Sequence, residues 1–213
     1  MRKRVFLGFI AAAMFIFTMS GCLAIANTPN SRFYMLNPIN KVQASGNSGI
    51  AAEMIIEVGP VGIPAYLNRP QIVTTNKNGT LNFSQLNRWG EPLDSALARL
   101  IIDNLTVMAP EASFQMFPCN FAIPLNYQVI VDIIQLDSEL SKGILLVAQW
   151  SIIDRKNKKM LLTKRSQFVK PINPHNYFGL AQALSEAGTD LASDIAKGLA
   201  ELPKQPEKNG SGR

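Results

Sequence analysis

Apolar and polar positions along the chain repeat with two periods. Three runs rich in Val, Ile and Leu, at Tyr127 to Leu136, Gly143 to Ile153 and Met160 to Val169, have the length and composition of strands. Asp154 to Lys158 is a charged tip between the second and third, so the three are expected to form an antiparallel meander. In the third run Met160, Leu162 and Phe168 share one parity, and Thr163, Arg165 and Gln167 the other. That alternation predicts one buried face and one wet face. The helical period appears twice. Leu93, Leu97, Leu100, Ile101 and Leu105 fall on one face of a helix opening at Pro92 and stopped by Ala109-Pro110. Leu180, Leu184, Leu191, Ile195, Leu199 and Leu202 line a second helix, with Gln182, Glu186, Ser193 and Lys197 on another side. Asn173-Pro174 is the expected N-cap and first-turn proline of that helix, and Pro203 its stop.

Shorter strands are expected at Phe33 to Leu36, Met54 to Val58, Gln71 to Thr75 and Leu81 to Phe83. Asn76-Lys77-Asn78-Gly79 supplies a hairpin turn between the last two. Gly59-Pro60 interrupts the second of these strands, and Pro64 and Pro70 make Val61 to Arg69 irregular or an edge. Gln43 to Gly49 reads as a loop. These elements predict an α+β two-layer sandwich, a mostly antiparallel sheet packed by two amphipathic helices.

Composition adds the ends to this picture. The 213 residues are 47% apolar and 17% charged, enough for a sizeable core. The formal charge of +6 falls to +3 without Arg2, Lys3 and Arg4, and to about +1 once the tail with Lys204, Lys208, Arg213 and Glu207 is set aside. The basic character belongs to the ends, which removes the compositional case for nucleic-acid binding. One histidine and two cysteines are too few for a self-contained zinc site, so no metal and no cofactor is expected.

Arg2-Lys3-Arg4, the uncharged run Val5 to Phe17 and the small residues before Cys22 have the form of an export signal. The apolar run is shorter than the roughly 20 residues that span a hydrocarbon core. Met19-Ser20-Gly21-Cys22 resembles the bacterial lipobox. In that pattern small side chains admit the extended backbone to a peptidase, and the cysteine thiol receives a diacylglyceryl group. Cleavage between Gly21 and Cys22 would leave Cys22 first in the chain, its amine open to N-acylation. Two acyl chains already anchor stably, so three would hold permanently. The resemblance to sorted lipoproteins also implies a destination. Leu23 stands where an aspartate would retain the protein in the inner membrane, which points to the periplasmic face of the outer membrane. Residues 1–21 are thus read as signal peptide, 22–30 as tether, 31–202 as the domain and 203–213 as a disordered tail.

Catalytic chemistry finds little to work with. Gly59-Pro60-Val61-Gly62 is no phosphate loop, no Gly-x-Ser-x-Gly occurs, and His175 is expected at the surface beside a helix start. Glu91 and Asp94 suit the positive end of a helix dipole, and Trp89 and Trp150 read as core or interface anchors. With Cys22 acylated, Cys119 lacks an intramolecular partner and is expected to be buried among Phe117, Phe121 and Ile123.

Ser31-Arg32-Phe33-Tyr34-Met35-Leu36, Val58-Gly59-Pro60-Val61, Ile63 to Val73 and Arg88-Trp89-Gly90-Glu91-Pro92-Leu93 carry a family resemblance in their order and spacing. Together they resemble the PqiC-like ABC-type transport auxiliary lipoprotein family, from about Ser31 to Leu202. Gly90 stands where alanine is common, and Thr75 where a basic residue is common. The resemblance implies a non-enzymatic lipoprotein on the inner leaflet of the outer membrane. It implies work with a periplasmic MCE-domain tunnel protein in lipid transport and envelope integrity, and a homo-oligomeric ring. Tyr66, Arg69 and Trp89 are then candidates for subunit or partner contacts, with core packing the equal alternative. A different class, a lipid-binding periplasmic shuttle, would need an apolar cavity between sheet and helices.

Overall fold

The computed structural model describes residues 30–38, 48–76, 78–119 and 124–202. The signal, the tether before Asn30, most of the Gln43 to Gly49 loop, Phe121, Ile123, Pro203 and the tail lie outside the described residues. Among the described residues, eight strands and two α-helices follow in chain order: β1 (Arg32–Tyr34), β2 (Ile55–Gly62), β3 (Gln71–Thr75), β4 (Leu81–Trp89), α1 (Leu93–Met108), β5 (Ser113–Met116), β6 (Tyr127–Glu139), β7 (Gly143–Asp154), β8 (Lys159–Pro171) and α2 (Tyr177–Ala200). Two sheets form, one of five strands in the order β5-β2-β6-β7-β8 and one of three in the order β1-β4-β3. The architecture is the expected α+β sandwich. Its longest ladders, β6 with β7 and β7 with β8, are the antiparallel meander.

Parallel pairing is what the sequence did not announce. β2 runs parallel to both β5 and β6, and β1 runs parallel to β4. Parallel neighbours need a long crossover. Between β2 and β5 that crossover holds the β3–β4 hairpin and α1. β5 itself was not anticipated; it is four residues long with only Phe114 buried, too short to show a period. Gly59-Pro60 does not end β2. Its ladder with β6 shifts register between Val58 and Val61, so the strand continues past the proline. The Gly59 carbonyl is satisfied sideways, by the Gln128 side-chain amide at 2.8 Å.

α1 and α2 pack against one another and against the inner face of the large sheet, α1 on β2, and α2 on β7 and β8. All five predicted apolar positions of α1 are buried, as are Leu180, Leu184, Leu191, Ile195 and Leu199 of α2. Ile144, Leu146, Ala148, Trp150 and Ile152 supply the opposing face of β7. Gly188 lets the helices close, since a Cβ there would stand 2.4 Å from Leu100 Cδ2.

Three local expectations are corrected. α2 begins at Tyr177, and its N-cap is Asn176, whose side chain accepts from the Gly179 N–H at 3.0 Å; Asn173-Pro174 lies one turn earlier in the lead-in. Met160 is exposed although it shares sequence parity with Leu162, because the β7–β8 register shifts between Ile152 and Ile153. A one-residue shift moves a side chain to the other face. Cys119 is half-buried and not enclosed, with Phe117 exposed beside it.

Candidate functional surfaces

Ile63 to Pro70 links the two sheets through one turn of 3-10 helix, Ala65–Leu67. Proline sets the turn: the Leu67 N–H donates to the Pro64 carbonyl at 2.9 Å, and the Asn68 N–H to the Ala65 carbonyl at 3.2 Å. Leu67 is the buried anchor of this segment. The Tyr66 hydroxyl donates to the Leu136 carbonyl of β6 at 3.4 Å. Burial raises the Tyr66 phenol above its ordinary pKa, the Asp137 carboxylate adds to the rise, and the bond to Leu136 opposes it.

Arg69 is exposed at the end of the segment, its guanidinium 4.2 Å above the Phe83 ring centroid. This is a cation–π pair on the small sheet. The Pro70 carbonyl next to it accepts from the Trp89 N–H at 2.8 Å. The Trp89 side chain is only 6% exposed and belongs to the core. Of the three residues selected for partner contacts, Arg69 is therefore exposed, Tyr66 is half-buried against β6, and Trp89 faces inward with almost no surface to offer. Phe83, on which Arg69 lies, had no sequence signal beyond strand alternation.

A second apolar surface surrounds β1, an edge strand of the small sheet. The Tyr34 hydroxyl donates to Asn87 Oδ1 at 2.9 Å, and the Tyr34 ring lies 6.4 Å from that of Tyr177. These contacts tie β1 to β4 and to the start of α2. Phe33, Met35 and Phe178 are left standing out, 66%, 54% and 56% exposed, around a groove of about 580 Å³. Phe33 and Met35 sit in a segment the sequence marked as a strand; their neighbour Phe178 is found only by folding.

The polar residues singled out from sequence do not converge. His175 is exposed and its Nδ1 lies 3.0 Å from the Leu140 carbonyl. Glu91 is ion-paired with Arg99, which also reaches Asp103 at 3.7 Å and donates to the Leu36 carbonyl at 3.3 Å. Asp94 Oδ1 accepts from the Ser95 N–H at 2.7 Å in the first turn of α1. Among the described residues no group of three or more His, Cys, Asp or Glu side chains stands together as metal ligands would. One buried carboxylate is distinctive. Glu57 accepts from the Cys119 N–H at 2.9 Å, with the Arg155 guanidinium 4.0 Å from its other oxygen. Arg155 in turn donates to Gln128 Oε1 at 2.8 Å, so the cluster fastens the β7–β8 tip to β2 and β6.

The fold is one that solved structures share. A crystal structure of an uncharacterized protein superposes with a TM-score of 0.65 at 14% identity, covering 80% of this chain and 99% of its own. Protein XCC0632 from Xanthomonas campestris also superposes with a TM-score of 0.65, at 11% identity, covering 78% of this chain and 93% of its own. At such identities the likeness is one of fold. No curated protein matches the chain. The family model described as ABC-type transport auxiliary lipoprotein component matches residues 34–196, most of the chain, and the chain belongs to that family. The family is one of lipoproteins that assist transport and not a family of enzymes.

Proposed function

We propose that this chain is an outer-membrane-anchored periplasmic lipoprotein that docks an MCE-type intermembrane lipid-transport system of the Pqi kind and so maintains the envelope. The observation that carries the reading is the family match over residues 34–196, set behind the lipobox Met19-Ser20-Gly21-Cys22. Cleavage after Gly21 leaves Cys22 bearing the thioether-linked diacylglycerol and an N-acyl chain. Leu23 directs the product to the inner leaflet of the outer membrane. Residues 22–30 then tether a domain of residues 31–202, with residues 203–213 as a tail.

The domain acts by contact and not by catalysis. Copies of it assemble into a ring that receives the distal end of a periplasmic MCE-domain tunnel protein. Arg69, seated on Phe83, is the contact residue best supported by its exposure, with Tyr66 bracing the segment behind it. The shuttle reading asks for a cavity between sheet and helices. That layer is filled by Trp150, Leu146, Leu184 and Ile195, none more than 1% exposed, which favours docking. The test is affinity capture of the full lipidated chain from envelopes in mild detergents. Recovery of an MCE-domain protein supports the proposal, and its absence across several detergents overturns it.

A further inference from the structure

Phe33, Met35 and Phe178 come from separate elements and gather around one groove that Asn37 and Gln182 also line. Phe33 and Met35 come from β1 and the residues after it, and Phe178 from the first turn of α2. All three line the same groove, with Tyr34, Ala181 and Ser185 at its base and sides. Each is more than half exposed, whereas Leu180, Leu184, Leu191, Ile195 and Leu199 of α2 are buried. Large exposed apolar side chains gathered around one groove point to an interaction site.

The place of the patch along the chain says what covers it. Cys22 lies nine residues before Ser31. A chain extends at most ~3.3–3.6 Å per residue, so the lipidated residue is held within about 30 Å of the start of β1. A short tether presents its bound surface at an effective concentration on the order of millimolar. At that concentration a small apolar patch binds a bilayer that it would not bind from free solution. The side chains suit the task. Two phenylalanines and a methionine project from a fixed scaffold, and the exposed Arg32, next to Phe33 in the chain, can reach headgroup phosphates, while Glu186 in the groove lining is the one charge that opposes them.

We propose that this patch is a membrane-docking face: Phe33, Met35 and Phe178 seat in the headgroup–acyl boundary of the leaflet that holds the anchor, and so fix the orientation of the domain. The proposal rests on the anchored reading given above.

Its test uses the mature lipidated chain in vesicles of phosphatidylethanolamine and phosphatidylglycerol, with and without brominated acyl chains. The native Trp89 and Trp150 are buried, 6% and 1% exposed, and contribute little quenching. Phe33→Trp reports the patch. Met160→Trp reports the far end of the domain, because Met160 opens β8 near the C-terminal end of α2, where Gly198 abuts Trp150 and Leu162. Phe33→Trp should be quenched about threefold more strongly than Met160→Trp, since a patch ~5–10 Å deep in the boundary meets the bromines. Adding Met35→Ser and Phe178→Ser should abolish the difference while the chain still floats with the vesicles. Equal quenching of the two reporters on a floating, acylated chain overturns the docking face and leaves the anchor standing. So does Phe33→Trp emission that is blue-shifted but unquenched and dependent on protein concentration, which places a second copy on the patch. A chain whose N-terminal peptide carries no acyl mass and that does not float overturns the anchor, and this proposal with it.

Discussion

Trp89 separates two roles that its sequence position left open. Its indole is in the core beneath the small sheet, so Trp89→Ala should cost about 3–5 kcal/mol in urea unfolding, the usual price of an emptied aromatic site. Arg69→Ala should cost no more than about 1 kcal/mol, because only a surface cation–π pair is lost. If Arg69→Ala nevertheless weakens capture of the partner, the effect lies in contact and not in stability. Asp154 gives a pH-dependent case. Its carboxylate accepts from the Asn157 N–H at 2.9 Å, from the Asn157 side-chain amide at 2.8 Å and from the Lys156 N–H at 2.9 Å, and these bonds, the first most of all, hold its pKa below the ordinary value against the opposing effect of burial. A depressed folded pKa adds stability that is complete above the unfolded value of about 3.9 and lost as pH falls through the folded one. Asp154→Ala should therefore destabilise the protein at pH 7, and should flatten the decline in unfolding free energy on acidification below about pH 4, measured by urea melts across that range. The aspartate was legible as part of a charged tip; its role as the acceptor that shapes the turn was not, because that depends on local backbone direction.

At the scale of elements, the long strands and both helices were legible because each carries enough residues for its period to stand out. β6, β7 and β8 extend a few residues beyond the expected ends, since hairpin pairing continues for as long as partners exist. β5 and the C-terminal half of β4 were missed, the first for shortness and the second because Ser84 to Arg88 is polar apart from Leu86. β4 persists there because β1 and β3 flank it on both sides. The start of α2 was placed one turn early. Asn173-Pro174 has the composition of a cap, but it is Asn176 whose side chain meets an unpaired helical N–H. Helix packing makes a sharp prediction. Gly188→Ala places a methyl 2.4 Å from Cδ2 of the fully buried Leu100, and overpacking of this kind costs about 1–3 kcal/mol. Gly90→Ala is the contrasting case. Its nearest neighbour would be Met35 Cγ at 3.2 Å, on a side chain that is exposed and able to move. That change should stabilise by about 0.5 kcal/mol through the unfolded chain. Urea midpoints of the two variants check both.

For the whole molecule, the anchored reading divides function between a short motif and a folded body. Cys22→Ser removes the only thiol the lipobox offers, so the protein should leave the membrane fraction and lose palmitate labelling, as read by fractionation of labelled cells. Retention in the envelope with unchanged mobility would sink the anchored reading. Such a motif can be read from sequence because an export and lipidation signal is recognised in extended, unfolded chain, where residue order is the whole message. The family resemblance was legible for a related reason: the segments around Pro60, Pro64, Pro70 and Pro92 keep their order and spacing, and the match over residues 34–196 falls on the same stretch. By itself, then, the sequence determined the α+β class, the antiparallel meander, the two amphipathic helices and the family, all of which depend on local periodicity or residue order. Only the tertiary structure decided that β2 pairs in parallel on both sides, that Trp89 turns inward while Arg69 rests on Phe83, and that Phe178 joins Phe33 and Met35. Those facts join residues as many as 145 positions apart, and no period along the chain records which distant faces burial will bring together.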